Sequence, residues 1–204
     1  NETLPRGRCQ RTTSLYDRLT NKGAVWGDSF GLEHALWFAN KPEDAHEEPT
    51  FERSRAHDYV AAEVTAVREH VGAIEIANFA KHRFTGPDAR RFLDYLMAGR
   101  IPKPGRISLM PMLTEKGKLY GDLTVACLAE DDFLILGSGT AQEMHRRWFE
   151  RYLDQSDVTY NLSYTNESSQ WHGIALSGPK ARELLSRITR DDVSTDAFKF
   201  RDIR

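Results

Sequence analysis

Phe84-Thr85-Gly86-Pro87-Asp88-Ala89-Arg90-Arg91-Phe92-Leu93 is echoed further along the chain by Leu176-Ser177-Gly178-Pro179-Lys180-Ala181-Arg182-Glu183-Leu184-Leu185. Each copy reads as a strand that enters Thr/Ser-Gly-Pro and turns straight into a helix, because proline suits the first helical position, where its missing N–H is no loss. Two βα units so far apart imply a layer of sheet and helix built from two related halves, not a short-period solenoid. The expected class is α+β, with an antiparallel or mixed sheet and helices on one face.

The sequence between and around the copies fills in that plan. Val60, Val64, Val67 and Val71 fall on one stripe of a helix starting near His57, and Ala73–Ala77 and Lys81–Phe84 are strand-like. After the Pro102-Lys103-Pro104-Gly105 break, Leu109–Leu113, Leu119–Leu128 and Phe133–Leu136 read as three antiparallel strands of a meander. Thr140-Ala141-Gln142-Glu143 has the form of a capping box ahead of a helix with Met144, Trp148 and Tyr152 on one face, and Asp157–Tyr164 alternates as a further strand. Residues 1–55 differ in texture. Ser14–Lys22 suits a short helix closed by Gly23, after which Trp26, Phe30, Trp37 and Phe38 are interleaved with glycines, predicting irregular structure packed on a larger neighbour. Residues 56–204 then form the second region, and Phe198–Arg204 resembles the approach to a strand, so the chain reads as a fragment of a longer protein.

Composition narrows the function classes. With 28 Lys+Arg against 30 Asp+Glu the net charge is -2, which gives no basic field for nucleic acid or an anionic membrane. No apolar run reaches the roughly 20 residues of a membrane helix, and Asn1-Glu2-Thr3-Leu4-Pro5 lacks the layout of a signal peptide. Cys9 and Cys127 are isolated, and His34, His46, His57, His70, His82, His145 and His172 lack metal spacing, so no metal site is expected and most of the histidines read as surface or capping groups. Cytoplasm or mitochondrial matrix follows as the expected compartment. The Arg146-Arg147, Arg90-Arg91 and Arg182 side chains read as solvated helix faces.

Within the meander, Leu119, Leu123, Val125 and Cys127 alternate with Tyr120, Asp122, Thr124 and Ala126. Asp122 is therefore a carboxylate in mid-strand, a position aspartate disfavours, beside Gly121, whose bare Cα permits a bulge or the close approach of a ligand. By alternation alone, an exposed aspartate on a solvated sheet face is the favoured reading of Asp122, ahead of a functional one.

Leu113-Thr114-Glu115-Lys116-Gly117-Lys118-Leu119-Tyr120-Gly121-Asp122-Leu123-Thr124-Val125, taken with both Gly-Pro copies, resembles the aminomethyltransferase family of the glycine-cleavage T-protein type. Gln10–Tyr16 and Gly23–Phe38 resemble the segment that joins the flavin domain to the folate-binding region in dimethylglycine and sarcosine dehydrogenases. The resemblance implies a tetrahydrofolate site in a truncated aminomethyltransferase fold, with residues 1–55 as the connecting segment and 56–204 as the first part of the folate-binding region. It implies FAD in a flavin domain outside this chain, against which the chain packs, and an N-methyl amine as the small-molecule substrate. Many relatives carry two adjacent aspartates where this chain has Gly121-Asp122, so the catalytic role falls to Asp122. Leu109 stands where the family places a tyrosine, and Tyr120, Leu109, Leu136 and Gly137 are the implied cofactor contacts. An oxidised N-methylglycine is a cation and the folate nitrogen that captures its carbon sheds a proton, so a nearby anion serves both steps. This account requires Asp122 to face a cavity. The alternative is a non-catalytic folate-binding module of the same fold, of the iron–sulfur assembly type. No GxGxxG follows a predicted strand, so the chain itself has no dinucleotide fingerprint.

Overall fold

The computed structural model describes residues 6–154 and 157–204; the leading Asn1-Glu2-Thr3-Leu4-Pro5 lies outside them. The helices are α1 (Tyr16–Thr20), α2 (Ala56–Glu69), α3 (Ala89–Leu96), α4 (Gln142–Asp154) and α5 (Ala181–Ile188). The strands are β1 (Ala24–Ser29), β2 (Leu32–Phe38), β3 (Gly72–Glu75), β4 (Ala80–Thr85), β5 (Arg106–Leu113), β6 (Leu119–Ala129), β7 (Asp132–Gly137), β8 (Ser163–Asn166) and β9 (Ile174–Ser177). They sort into two compact units, one holding the chain up to Asn78 with His172–Ala197, the other Phe79–Trp171 with Phe198–Arg204. Neither unit ends at residue 55.

In the first unit, β1 and β2 form an antiparallel hairpin where an irregular aromatic loop was expected. Phe30 (φ 53°) and Gly31 (φ 81°) both adopt the left-handed conformation that a two-residue hairpin turn demands. The glycines that read as breakers serve the sheet. A Cβ at Gly27 would lie 2.8 Å from Leu36 Cδ2, so its absence lets Leu36 lie across the ribbon. The valine stripe of α2 is the second departure, for Val60, Val64 and Val67 are all exposed. The helix docks on β2 with its neighbouring face instead: Tyr59 stacks on Trp37 at 5.2 Å and Glu63 accepts from the Phe38 N–H at 3.0 Å. Gly23 caps α1 as expected, at φ 84° with its N–H on the Thr20 carbonyl at 2.9 Å.

The second unit is a five-stranded antiparallel sheet in the order β5-β6-β7-β4-β8. One face carries α3 and α4 over a core of Phe84, Phe92, Leu93, Met110, Met112, Leu123, Val125, Phe133, Ile135 and Phe149. Burying aromatic and aliphatic side chains of this size is the main source of stability in such a layer. The strand expected at Asp157–Tyr164 is confined to Ser163–Asn166, which pairs with β4. Thr140 does not close a capping box, since a 3-10 turn at Gly139–Ala141 opens the helix with Ser138 before it and no side-chain cap bond. Of the terminal residues, Asp202 bridges Arg106 at the start of β5.

The repeat is borne out in geometry. Gly86 and Gly178 sit at φ 119° and 118°, and the N–H groups of Ala89 and Ala181 each bond the glycine carbonyl three residues back at 3.0 Å. Each helix is eight residues long and starts two residues after the proline, which occupies the turn rather than the first helical position. The two copies belong to different units and different sheets: β4 lies inside the five-stranded sheet, whereas β9 pairs only with β3. No helix among the described residues is long and apolar enough to cross a membrane.

Candidate functional site

Asp122 stands on the face of the five-stranded sheet opposite α3 and α4. Register places Pro111 across from Asp122, Leu109 across from Thr124, Thr124 across from Leu136 and Leu136 across from Lys81. Directly opposed residues share a face, so Leu109, Thr124, Leu136 and Lys81 form one cross-strand row with Pro111 and Asp122 beside it. Leu109 is 65% exposed and Asp122 is exposed too. Lys81 ends the row buried, its ammonium donating to the Phe79 carbonyl at 2.8 Å, and burial pulls its pKa below the usual lysine value.

Asp132 also lies on this face, held by Arg83 through bonds of 2.9 and 2.8 Å that raise the arginine pKa. Asp122 makes no ion pair among the described residues. It is thus a carboxylate flanked by Pro111 and Thr124 and adjoining an apolar row, with its acceptor capacity unspent. No three His, Cys, Asp or Glu side chains among the described residues come together as a metal site.

Tyr120 does not share this surface. Pairing steps from Met112 opposite Gly121 to Leu113 opposite Leu119, so Tyr120 is an extra residue with nothing across from it. Such a bulge breaks the alternation, and the Tyr120 ring turns to the helix side, where it stacks on Trp148 at 4.0 Å. Gly137 likewise belongs to the helix side. A Cβ there would lie 2.6 Å from Leu123 Cδ2 and 3.1 Å from His145 Nδ1. Of the residues named from the sequence, the structure therefore brings Asp122, Leu109 and Leu136 together and sends Tyr120 and Gly137 to the opposite side.

Two of the seven histidines depart from the expected surface setting. His82 is fully buried and His145 is 2% exposed, in contact edge to face at 6.3 Å between ring centroids. The His82 Nδ1 and the Tyr164 hydroxyl share a bond of 2.8 Å, while His82 Nε2 and His145 Nδ1 have no partner among the described residues. Burial, with His145 as a second cause, pulls the His82 pKa down to about 4, and burial lowers that of His145 against the opposing pull of Asp122. The sequence signal for His145 was its place one turn ahead of Phe149: the buried stripe of α4 runs through His145, Trp148 and Phe149, while Met144 is exposed.

Comparison with known proteins agrees with this architecture. The chain is 33% identical over 192 residues to mouse mitochondrial dimethylglycine dehydrogenase, covering 94% of this chain and 22% of that protein. It is 34% identical over 192 residues to the aminomethyltransferase of Lysinibacillus sphaericus, covering 93% of this chain and 46% of that one. The chain thus spans less than half the length of either relative. The glycine cleavage system aminomethyltransferase T from Bartonella henselae superposes with a TM-score of 0.74 at 19% identity, over 95% of this chain and 46% of that one, so the α+β arrangement is the aminomethyltransferase fold. The GCVT N-terminal domain family matches residues 15–204, and the chain belongs to that family.

Proposed function

We propose that the face of the second unit's sheet opposite α3 and α4 binds tetrahydrofolate and that Asp122 assists transfer of a one-carbon unit from an oxidised N-methyl amine. The observation that carries this reading is the setting of Asp122, an unpaired carboxylate next to the apolar row Leu109–Thr124–Leu136. A flat heterocycle rich in N–H donors suits such a surface, since leucine side chains take its faces and a carboxylate accepts from its edge. Leu109, Leu136 and Pro111 would hold the ring, and the folate would supply the amine nitrogen that takes up the carbon. The Asp122 Oδ atoms stabilise positive charge on the incoming carbon donor and accept the proton displaced from the amine. The opposite wall of the site is proposed to come from a region of the kind the longer relatives possess. A flavin domain that oxidises the amine is proposed as the partner on the same grounds.

Calorimetric titration of 5-formyltetrahydrofolate into this chain tests the reading. Binding is expected, and Asp122→Ala should weaken it about ten- to a hundredfold, the range for loss of a hydrogen bond to a charged group. Equal affinities for the two proteins, or no binding to either, would overturn it.

A further inference from the structure

Two glycines on neighbouring strands leave a notch in the helix-side surface of the second unit's sheet, and the His145 imidazole fills it. A Cβ on Gly121 would come within 2.7 Å of His145 Nε2, and one on Gly137 within 3.1 Å of Nδ1. A side chain at Gly121 fits only if the ring moves, and one at Gly137 only if Leu123 moves and the ring gives by a few tenths of an ångström. On the same stretch of β6, Trp148 from the next turn of α4 holds Tyr120 by stacking. Residues 120 and 121 are thus gripped from the helix side, and Asp122, the next residue, projects from the opposite side.

We infer that His145 is the positioning residue for Asp122: seated between Gly121 and Gly137, it fixes the backbone at the Tyr120 bulge and so sets where the Asp122 carboxylate stands. This deepens the proposed function and rests on it for its catalytic meaning, though not for its geometry. A bulge re-aims the residues beside it, and a side chain locked by packing behind a working group holds that group in place more firmly than the strand alone would.

The charge of the ring matters as much as its shape. An imidazolium behind Asp122 would offset the anion, whereas a neutral ring leaves it whole, and burial favours the neutral form. The groups that interact electrostatically with His145 are Asp122 on β6 and His82 on β4; Glu143 and Arg146 are its neighbours along α4, and β7 presents Gly137 there. Glu143 and Arg146 are engaged with each other at 2.8 Å, so Asp122 is the unpaired anion that the ring senses.

The test is an NMR titration of the isotopically labelled chain, with the His145 Cε1–H signal identified by its loss in His145→Phe. In Asp122→Asn, an exposed change that leaves the core untouched, the His145 midpoint should move to lower pH because the anion that favours its charged form is gone. Gly121→Ala should displace the Asp122 carboxyl carbon signal, and adding His145→Ala to it should bring that signal back towards its original position. An unmoved His145 midpoint, or an Asp122 signal displaced equally with and without the imidazole, would overturn the inference. Neither readout needs a folate, so failure here and failure of the calorimetric test are distinguishable.

Discussion

Gly178→Ala should destabilise the protein by about 3 kcal/mol or more, read as a lowered urea midpoint with an unchanged slope. Two independent costs combine. The residue sits at φ 118°, where a side chain is strained, and a single residue held in a sparsely populated backbone region costs about 1–3 kcal/mol. The added Cβ would also fall 2.5 Å from the His70 carbonyl oxygen and 2.6 Å from that of Val67. These are backbone atoms at the end of α2, and they cannot swing aside as the tip of a side chain can. The His70 carbonyl is in addition the acceptor for the Lys180 N–H at 2.9 Å, so shifting it disturbs the turn that launches α5. Gly86→Ala should behave alike, since its Cβ would meet Asn161 O and Leu162 Cα at 2.9 Å. Gly117→Ala is the control: φ is 70° but nothing lies within 4 Å, so only the backbone cost of about 1 kcal/mol applies. Equal losses at Gly117 and Gly178 would remove the steric half of the argument.

That prediction rests on the one pattern the sequence displayed most openly. A Thr/Ser-Gly-Pro junction between strand and helix is legible because its constraints are local: a glycine for the left-handed turn and a proline where no N–H is needed. The α+β class and the meander followed from short-range alternation for the same reason. What escaped was decided by contacts distant in sequence. The β1–β2 hairpin hid behind Gly27 and Gly31, one clearing space for a cross-strand leucine and the other making the turn. The valine stripe of α2 promised a buried face, yet Tyr59 and Glu63 made the stronger attachments to β2 through a stacked tryptophan and a backbone bond.

The candidate site divides along the same line. Asp122, Leu109 and Leu136 come together because strict alternation holds across β5, β6 and β7 at those positions. Tyr120 goes to the other face because one extra residue in β6 reverses the parity; Gly121 permitted a bulge here, but the sequence does not say which residue it displaces. Gly121 was legible as a place of close approach, but the group that approaches it is His145. His145 lies one turn ahead of Phe149 on α4, but its residue type alone does not say whether it faces water or the core. Here the two facing glycines decide it.

Acidification should expose the cost of that burial. His82 has a pKa near 4 in the folded chain against about 6.5 when unfolded, chiefly because its ring is shut away from water, with His145 adding to the effect. Above pH 6.5 both states are neutral at this residue and stability does not depend on it. Between pH 6.5 and 4 the unfolded chain binds a proton that the folded chain refuses, so stability falls as pH falls. At about 1.4 kcal/mol per unit of difference, His82 alone should remove about 3 kcal/mol by pH 4, and His145, lowered in the same direction, adds to the loss. The carboxylates of Asp44, Glu143 and Asp202 are all held below their usual range and lose their partners at still lower pH, which separates the two effects on the pH axis. Urea unfolding at pH 7.5, 6.5, 5.5 and 4.5 measures the slope directly. In His82→Phe, which keeps an aromatic ring against Phe149 and Tyr164 but cannot titrate, the slope between pH 6.5 and 4.5 should fall by about one proton's worth. A slope identical to that of the unmodified protein would mean that His82 takes up its proton in the folded state as readily as in the unfolded one, and that its two ring nitrogens find solvent that the packed α4–sheet layer denies them.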